Sequence, residues 1–180
     1  MIMNDKSKMS STDRQKLIMD MLNQAEHPIT GSDFANKTNV SRQVIVQDVS
    51  ILKAKNEPII ATSQGYLLIN QQMNEDLQRM VIVCNHTPEQ TKKELYSIVD
   101  HGVTVKDVIV EHAIYGDLTA SIMVSSRVEV DQFIKKINET NASYLSTLTE
   151  GIHLHTLEAN TMDKIEAACK TLEEVGILIR

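Results

Sequence analysis

The stretch "GSDFANKTNVSRQVIVQDVSILKA", Gly31 to Ala54, decides how the first part of this chain folds. Thr30, Gly31 and Ser32 suit a helix cap, and "SDFANKT" follows with Phe34 and Ala35 turned inward. "NVS" then breaks the pattern as a tight turn. Ser41 caps a second helical run, "RQVIVQDVSILKAK", whose inward positions are Val44 or Ile45, Val49 and Leu52. A short capped helix, a three-residue turn and a longer helix make a helix-turn-helix.

The flanks complete the unit. Upstream, "DRQKLIMDMLNQAEHPIT" carries Leu17, Ile18, Met21 and Leu22 at helical spacing, and His27-Pro28 stops it. Downstream of Glu57-Pro58, "IIATS" and "GYLLI" are short β segments joined at Gln64-Gly65. Three helices and a small hairpin predict a winged helix-turn-helix over residues 1–70. Its third helix would present Ser41, Arg42, Gln43 and Gln47 to a major groove, where Arg reads guanine and Gln reads adenine. Lys53 and Lys55 near the helix end, and Ser63 and Gln64 at the wing tip, suit phosphate contacts. The competing reading is a plain three-helix scaffold or a protein-binding winged helix. The side chains at the helix start favour DNA.

Charge agrees with that division. The 180 residues carry a net charge of −6, but residues 1–70 balance at +1 and residues 71–180 at −7. Only the first part is suited to approach DNA. Aromatic content of 3% with no Trp argues against a base-stacking single-strand or RNA binder. Cys84 and Cys169 have no metal-like spacing and read as small buried hydrophobes in a reducing compartment. The start "MIMNDKSKMSSTDR" is too polar for a signal peptide, and no apolar run reaches membrane length. The expectation is a cytoplasmic protein with no membrane partner.

"NQQMNEDLQRM" is polar, and a linker is expected over residues 71–79. From residue 80 the period changes. "MVIVCN" is a strand, and "TPEQTKKELYSIVDHG" a helix with Pro88 near its start and Gly102 at its end. "VTVKDVIVEHAIYG" and "DLTASIMVSS" are strands meeting at Gly116-Asp117, and "RVEVDQFIKKINET" is an amphipathic helix. "SYLSTLTEGIHLHTLEA" reads as a strand region with Gly151 in its middle. "NTMDKIEAACKTLEEVG" is a last helix, and "ILIR" a last strand. The order β-α-β-β-α-β-α-β over residues 80–180 predicts an α+β protein whose second domain is an α/β sandwich. A ferredoxin-like variant with an added helix and strand is the first choice.

Within "EGIHLHTLEA", strand alternation puts His153 and His155 on one face. His86 ends the first strand of this domain, and Glu94 lies in the helix opened by Thr87 and Pro88, where a carboxylate can fold back towards the strand end. Three imidazoles and one carboxylate suit a divalent transition metal: Zn, Ni, Co or Fe, with Cu and Mn less suited. The plainer reading makes His153 and His155 solvated strand residues, His86 a polar loop residue and Glu94 a surface charge. His27 reads as structural and His101 as a helix-end residue. His112, in "VIVEHAIYG", is either a sheet histidine or a neighbour of the site.

These motifs carry a resemblance. "GSDFANKTNVSRQVIVQDVSILKA", with "VSRQ" at Val40 to Gln43, resembles helix-turn-helix domains of the biotin-repressor type. "VCNHTPEQTKKELYSIVDHG", "DVIVEHAIYGDLTASIMVSSR" and "LTEGIHLHTLEA" resemble the three-histidine (3H) domain. Together, from about residue 12 to the end, they are similar to nicotinate-responsive repressors of the NiaR type. The resemblance implies a homodimer on double-stranded operator DNA, with nicotinic acid as co-repressor of NAD biosynthesis or niacin uptake genes. It implies a bound metal, Ni(II) first and Zn(II) or Fe(II) next, with ligands matching His86, Glu94, His153 and His155. His112 and, on charge alone, Arg127 are the candidate effector contacts. Two rivals stand beside this reading. One is a metal sensor without organic effector. The other is a metal-dependent hydrolase fused to a DNA-binding domain, with Glu111 or Glu150 as base. The second is disfavoured by the lack of a Gly-rich phosphate loop or a G-x-S-x-G.

Overall fold

The computed structural model describes residues 9–69 and 76–179. Contacts divide the chain into two units, Met1–Gln71 and Gln72–Arg180. Of the expected linker, residues 71–75 lie outside the described residues, and Gln78 and Arg79 already belong to the first strand of the second unit.

The first unit contains α1 (Ser11–Gln24), α2 (Gly31–Thr38), α3 (Arg42–Ala54), β1 (Ile59–Ala61) and β2 (Tyr66–Leu68). Each helix starts on a side-chain cap. Ser10 accepts from the Asp13 N–H, Thr30 and Asp33 form a capping box, and Ser41 accepts from the Val44 N–H. Asn39, with φ of 54°, ends α2 in the left-handed conformation that Asn tolerates. Ile18, Leu22, Phe34, Ile45, Val49, Leu52 and Ile59 form the core. Of the two alternatives at the start of α3, Ile45 is buried and Val44 half-buried. β1 and β2 pair as an antiparallel hairpin, and Ile29 adds a rung through paired bonds with Tyr66 of 2.9 and 2.8 Å. That rung requires glycine at 65. Its φ is +145°, and a Cβ there would lie 2.5 Å from the Ile29 carbonyl oxygen.

One charge is built into this core. Asp48 is buried on the inner face of α3, where its carboxylate accepts from Arg14 Nε, from Arg14 Nη2 at 3.2 Å, from Ser11 Oγ at 3.0 Å and from Gln15 Nε2 at 3.2 Å. All three partners stand on α1, so the network fixes α1 against α3. Burial alone would raise the Asp48 pKa. The bonds from Arg14, Gln15 and Ser11, with the Arg14 charge, outweigh it and hold the carboxyl below its ordinary range.

The second unit contains β3 (Gln78–Asn85), α4 (Thr91–Val99), β4 (Thr104–His112), β5 (Gly116–Val124), α5 (Arg127–Thr140), β6 (Ile152–Ala159), α6 (Met162–Glu174) and β7 (Leu178–Ile179). The element order matches the sequence expectation, and the fold is α+β. The five strands are ordered β5-β4-β6-β3-β7, every pair antiparallel. α4 packs against α5 and α6, and α6 against β6 and β3. The strand order differs from that of a plain ferredoxin-like sheet. The strand inserted between β3 and β4, the two strands that α4 connects, is β6 rather than β5. The strand bearing His153 and His155 is therefore central.

Three local readings are corrected. Gly151 is not in the middle of a strand: Leu145–Thr149 is a 3₁₀ turn, and β6 begins at Ile152. A 3₁₀ turn at Pro88–Gln90 precedes α4. β4 and β5 are joined by a turn over residues 113–115, ahead of Gly116.

A carboxyl depressed in the folded state stabilises above its unfolded pKa, and that contribution disappears as pH falls through the folded value. Asp48→Ala, which strands the Arg14 charge, should therefore cost about 3–5 kcal/mol at neutral pH. Asp48→Asn should flatten the loss of stability below about pH 4. Thermal melts of both variants against pH check this, and an unchanged acid limb would contradict it.

Candidate metal centre

β6 turns His153, His155 and Leu157 towards the helices, and His153 and His155 pair across the sheet with Cys84 and Ile82 of β3. His86 follows β3. Its N–H bonds the Gly151 carbonyl at 3.4 Å, which joins the end of β3 to the start of β6. Pro88 opens the turn into α4, and Glu94 sits in the first turn of that helix. The four side chains meet. His86 Nε2 is 2.7 Å from Glu94 Oε2, His153 Nε2 is 3.0 Å from Oε1, and His155 Nε2 is 3.4 Å from Oε2. All are buried, Glu94 to 1% exposure.

The other ring nitrogens carry the decisive information. His86 Nδ1 lies 2.7 Å from the Thr87 carbonyl oxygen, His153 Nδ1 2.8 Å from that of Gly151, and His155 Nδ1 2.6 Å from that of Asp107. A carbonyl only accepts, so each Nδ1 donates a proton. In a neutral ring each Nε2 is then a lone pair aimed at a carboxylate. Lone pair against lone pair is repulsive, and His155 Nε2 has no hydrogen-bond partner. Protonating all three rings would instead bury three positive charges around one negative. A divalent cation would resolve this, because neutral imidazoles tied at Nδ1 are the usual form of metal-binding histidine.

Charge follows the geometry. Burial would raise the Glu94 pKa, but the three surrounding histidines hold it well below the ordinary range. Burial would lower His86 and His155, and Glu94 outweighs it and raises both.

Beside this cluster lies a cavity of about 170 Å³. Leu95, Val108, Ile122, Phe133, Ile137 and Leu145 form its apolar walls, and His86, Glu94, His153 and His155 its polar end. Thr91, one turn before Glu94, also lines it, and its buried hydroxyl has no hydrogen-bond partner.

Residues 79–180 match the 3H domain, and residues 14–67 match an HTH domain. Over 180 residues the chain is 54% identical to the Transcription repressor NadR of Bacillus subtilis, covering 99% of each. Over 167 residues it is 38% identical to the Probable transcription repressor NiaR of Thermotoga maritima, covering 93% of this chain and 94% of that one. The chain belongs to the NadR/NiaR family.

In this NadR/NiaR-family chain the winged helix leaves Ser41, Arg42, Gln43, Gln47 and Lys53 exposed along α3. Lys55 instead donates to Gln15 Oε1 at 3.0 Å, and Ser63 and Gln64 form the half-buried turn between β1 and β2. His112 and Arg127 do not line the cavity. His112, at the end of β4, uses Nδ1 to accept from the Ile114 and Tyr115 N–H groups. Arg127 is paired with Asp100 at 2.6 and 2.5 Å and lies over the Tyr96 ring.

Cys84 escaped the sequence reading. It is fully buried, and its sulfur groups with ligand atoms of Glu94 and His153 within 4.8 Å. Burial and the neighbouring Glu94 push its pKa up. The available signal was its place two residues before His86 on a strand facing the H-x-H.

Gly151 has φ of +102°, and a Cβ there would lie 2.6 Å from the His86 carbonyl oxygen and 2.8 Å from Asn85 Oδ1. Gly151→Ala should cost about 1–3 kcal/mol in urea unfolding. It should also weaken metal binding about 10–100-fold in a chelator competition, because Gly151 supports His153. Wild-type affinity would remove Gly151 from the site.

Proposed function

We propose that this chain is a transcriptional repressor that binds double-stranded operator DNA as a homodimer, with nicotinic acid as co-repressor and NAD biosynthesis or niacin uptake genes as targets. The observation that carries the ligand-binding part is the cavity itself, an apolar slot whose polar end is three Nε2 lone pairs and a carboxylate. His86, Glu94, His153 and His155 would hold the metal, with Ni(II) first and Zn(II) or Fe(II) next. The metal would supply a Lewis-acidic point for the ring nitrogen or carboxylate of a small acid. The chain's own part is to fix the three rings, exclude water with Leu95, Phe133 and Ile137, and enclose a flat apolar body.

The DNA half is supported by the HTH match and by the exposed start of α3, where Arg42 and Gln43 suit base edges. A two-fold dimer would present two such helices to successive major grooves. Among the described residues no helix is long and apolar enough to cross a membrane. A cytoplasmic location is proposed because a repressor works at the gene.

Operator binding measured at fixed salt, with metallated protein and rising nicotinate, tests the co-repressor. Affinity should rise about 5–150-fold, the usual range of coupling between two sites. No change would overturn the co-repressor, and a response to metal alone would favour the metal sensor. Arg42→Ala should weaken the same complex by about 1–3 kcal/mol.

Acid gives a second check. Metal binding needs neutral rings, and Glu94 raises the proton affinity of His86 and His155. The apparent metal affinity, read by chelator competition, should therefore already weaken as pH falls towards about 6.5, the ordinary imidazole value, and weaken further below it. An affinity that does not change with pH across this range would contradict the ligand set.

A further inference from the structure

β4 and β6 do not pair evenly. Val105 faces Leu157 and Ile109 faces Leu154, so four steps along β4 match three along β6. The extra residue lies in a bulge that contains Asp107, and bulges recur beside functional sites, where they re-aim a group. Here the re-aimed group is a main-chain carbonyl. In an uninterrupted ladder the Thr156 N–H would bond a main-chain carbonyl of β4. Instead it bonds the Asp107 side chain, at Oδ1, 2.9 Å away. The Asp107 carbonyl accepts the His155 Nδ1–H at 2.6 Å.

We propose that Asp107 is a positioning residue of the metal centre: its carboxylate stands in for the missing ladder acceptor and so reserves its main-chain carbonyl for His155. This rests on the reading of the three histidines and Glu94 as a metal site. His155 is the ring that depends most on such support, since its Nε2 is the one without a hydrogen-bond partner. Without the Asp107 side chain, Thr156 and His155 compete for one carbonyl. If Thr156 takes it, Nδ1 loses the acceptor that keeps its proton there, and the ring is free to turn its other nitrogen away. Asn at this position retains an oxygen of the same reach. Ser does not, because its hydroxyl oxygen sits where the carboxyl carbon of Asp107 now is.

Zinc affinity of the full chain by chelator competition, with the nitrogen count around zinc from X-ray absorption, tests this. Asp107→Ala should bind zinc about 10–100-fold more weakly and lose one nitrogen, whereas Asp107→Asn should keep both near wild type. Should the Ala variant not fold, Asp107→Ser takes its place with the same expectation. Wild-type affinity and nitrogen count in the Ala or Ser variant would overturn the proposal. So would an Asn variant that folds yet loses as much as Ala. Wild-type protein that binds no zinc, nickel or iron would overturn the underlying metal reading, an outcome distinct from a difference among variants.

Discussion

One carboxylate inside three imidazoles constrains everything around it. Glu94 is 1% exposed, and three Nε2 atoms point at its two oxygens. Each ring is held from behind by a main-chain carbonyl, so none can turn away without giving up that bond. As fully charged groups they would leave two surplus positive charges in the core, at several kcal/mol per uncompensated ion. As neutral groups they repel at short range. A cation shared among its members would relieve both conflicts, and such a metal would then add to the stability of the second unit.

The strand order makes such a cluster possible. With β6 between β3 and β4, one face of one strand collects supports from both sides. β3 leads to His86 and contributes Cys84, and β4 contributes the Asp107 carbonyl. An edge position would have left His153 and His155 with a neighbour on one side and water on the other. The polar end of the cavity therefore exists because the fourth core strand is central. Its apolar walls exist because α4 and α5 close over the same place with Leu95, Phe133 and Ile137.

Much of this was legible in local chemistry. The caps at Thr30 and Ser41, the turn at Asn39 and the apolar spacing of α3 act within a few residues, so the helix-turn-helix could be read directly. Strand alternation likewise put His153 and His155 on one face. Other features depend on pairing between distant segments and leave no local pattern. The bulge at Asp107 exists only in the register of β4 against β6. Tyr144, Leu145, Thr147 and Thr149 suit a strand by composition, yet Leu145–Thr149 winds into a 3₁₀ turn and Gly151 falls after it. The chemistry that makes His112 and Arg127 candidates is spent locally, on a hairpin turn and on Asp100. Asp48 shows the converse: a charge within an apolar helix face belongs to the core because Arg14 reaches it from another helix.

The same geometry bears on sensing against catalysis. A metal-dependent hydrolase commonly sets a free general base beside the water on its metal. Glu94 is the sole carboxylate among the described residues lining the cavity, and as a ligand to the proposed metal it would not be free to act as a base. Glu111 and Glu150, the other candidates, are exposed and stand outside the lining. A metal in this setting would hold a ligand against apolar walls, with no second carboxylate beside it among the described residues lining the cavity. Binding without turnover is what a regulator requires, because a ligand that is consumed cannot report its own concentration at equilibrium.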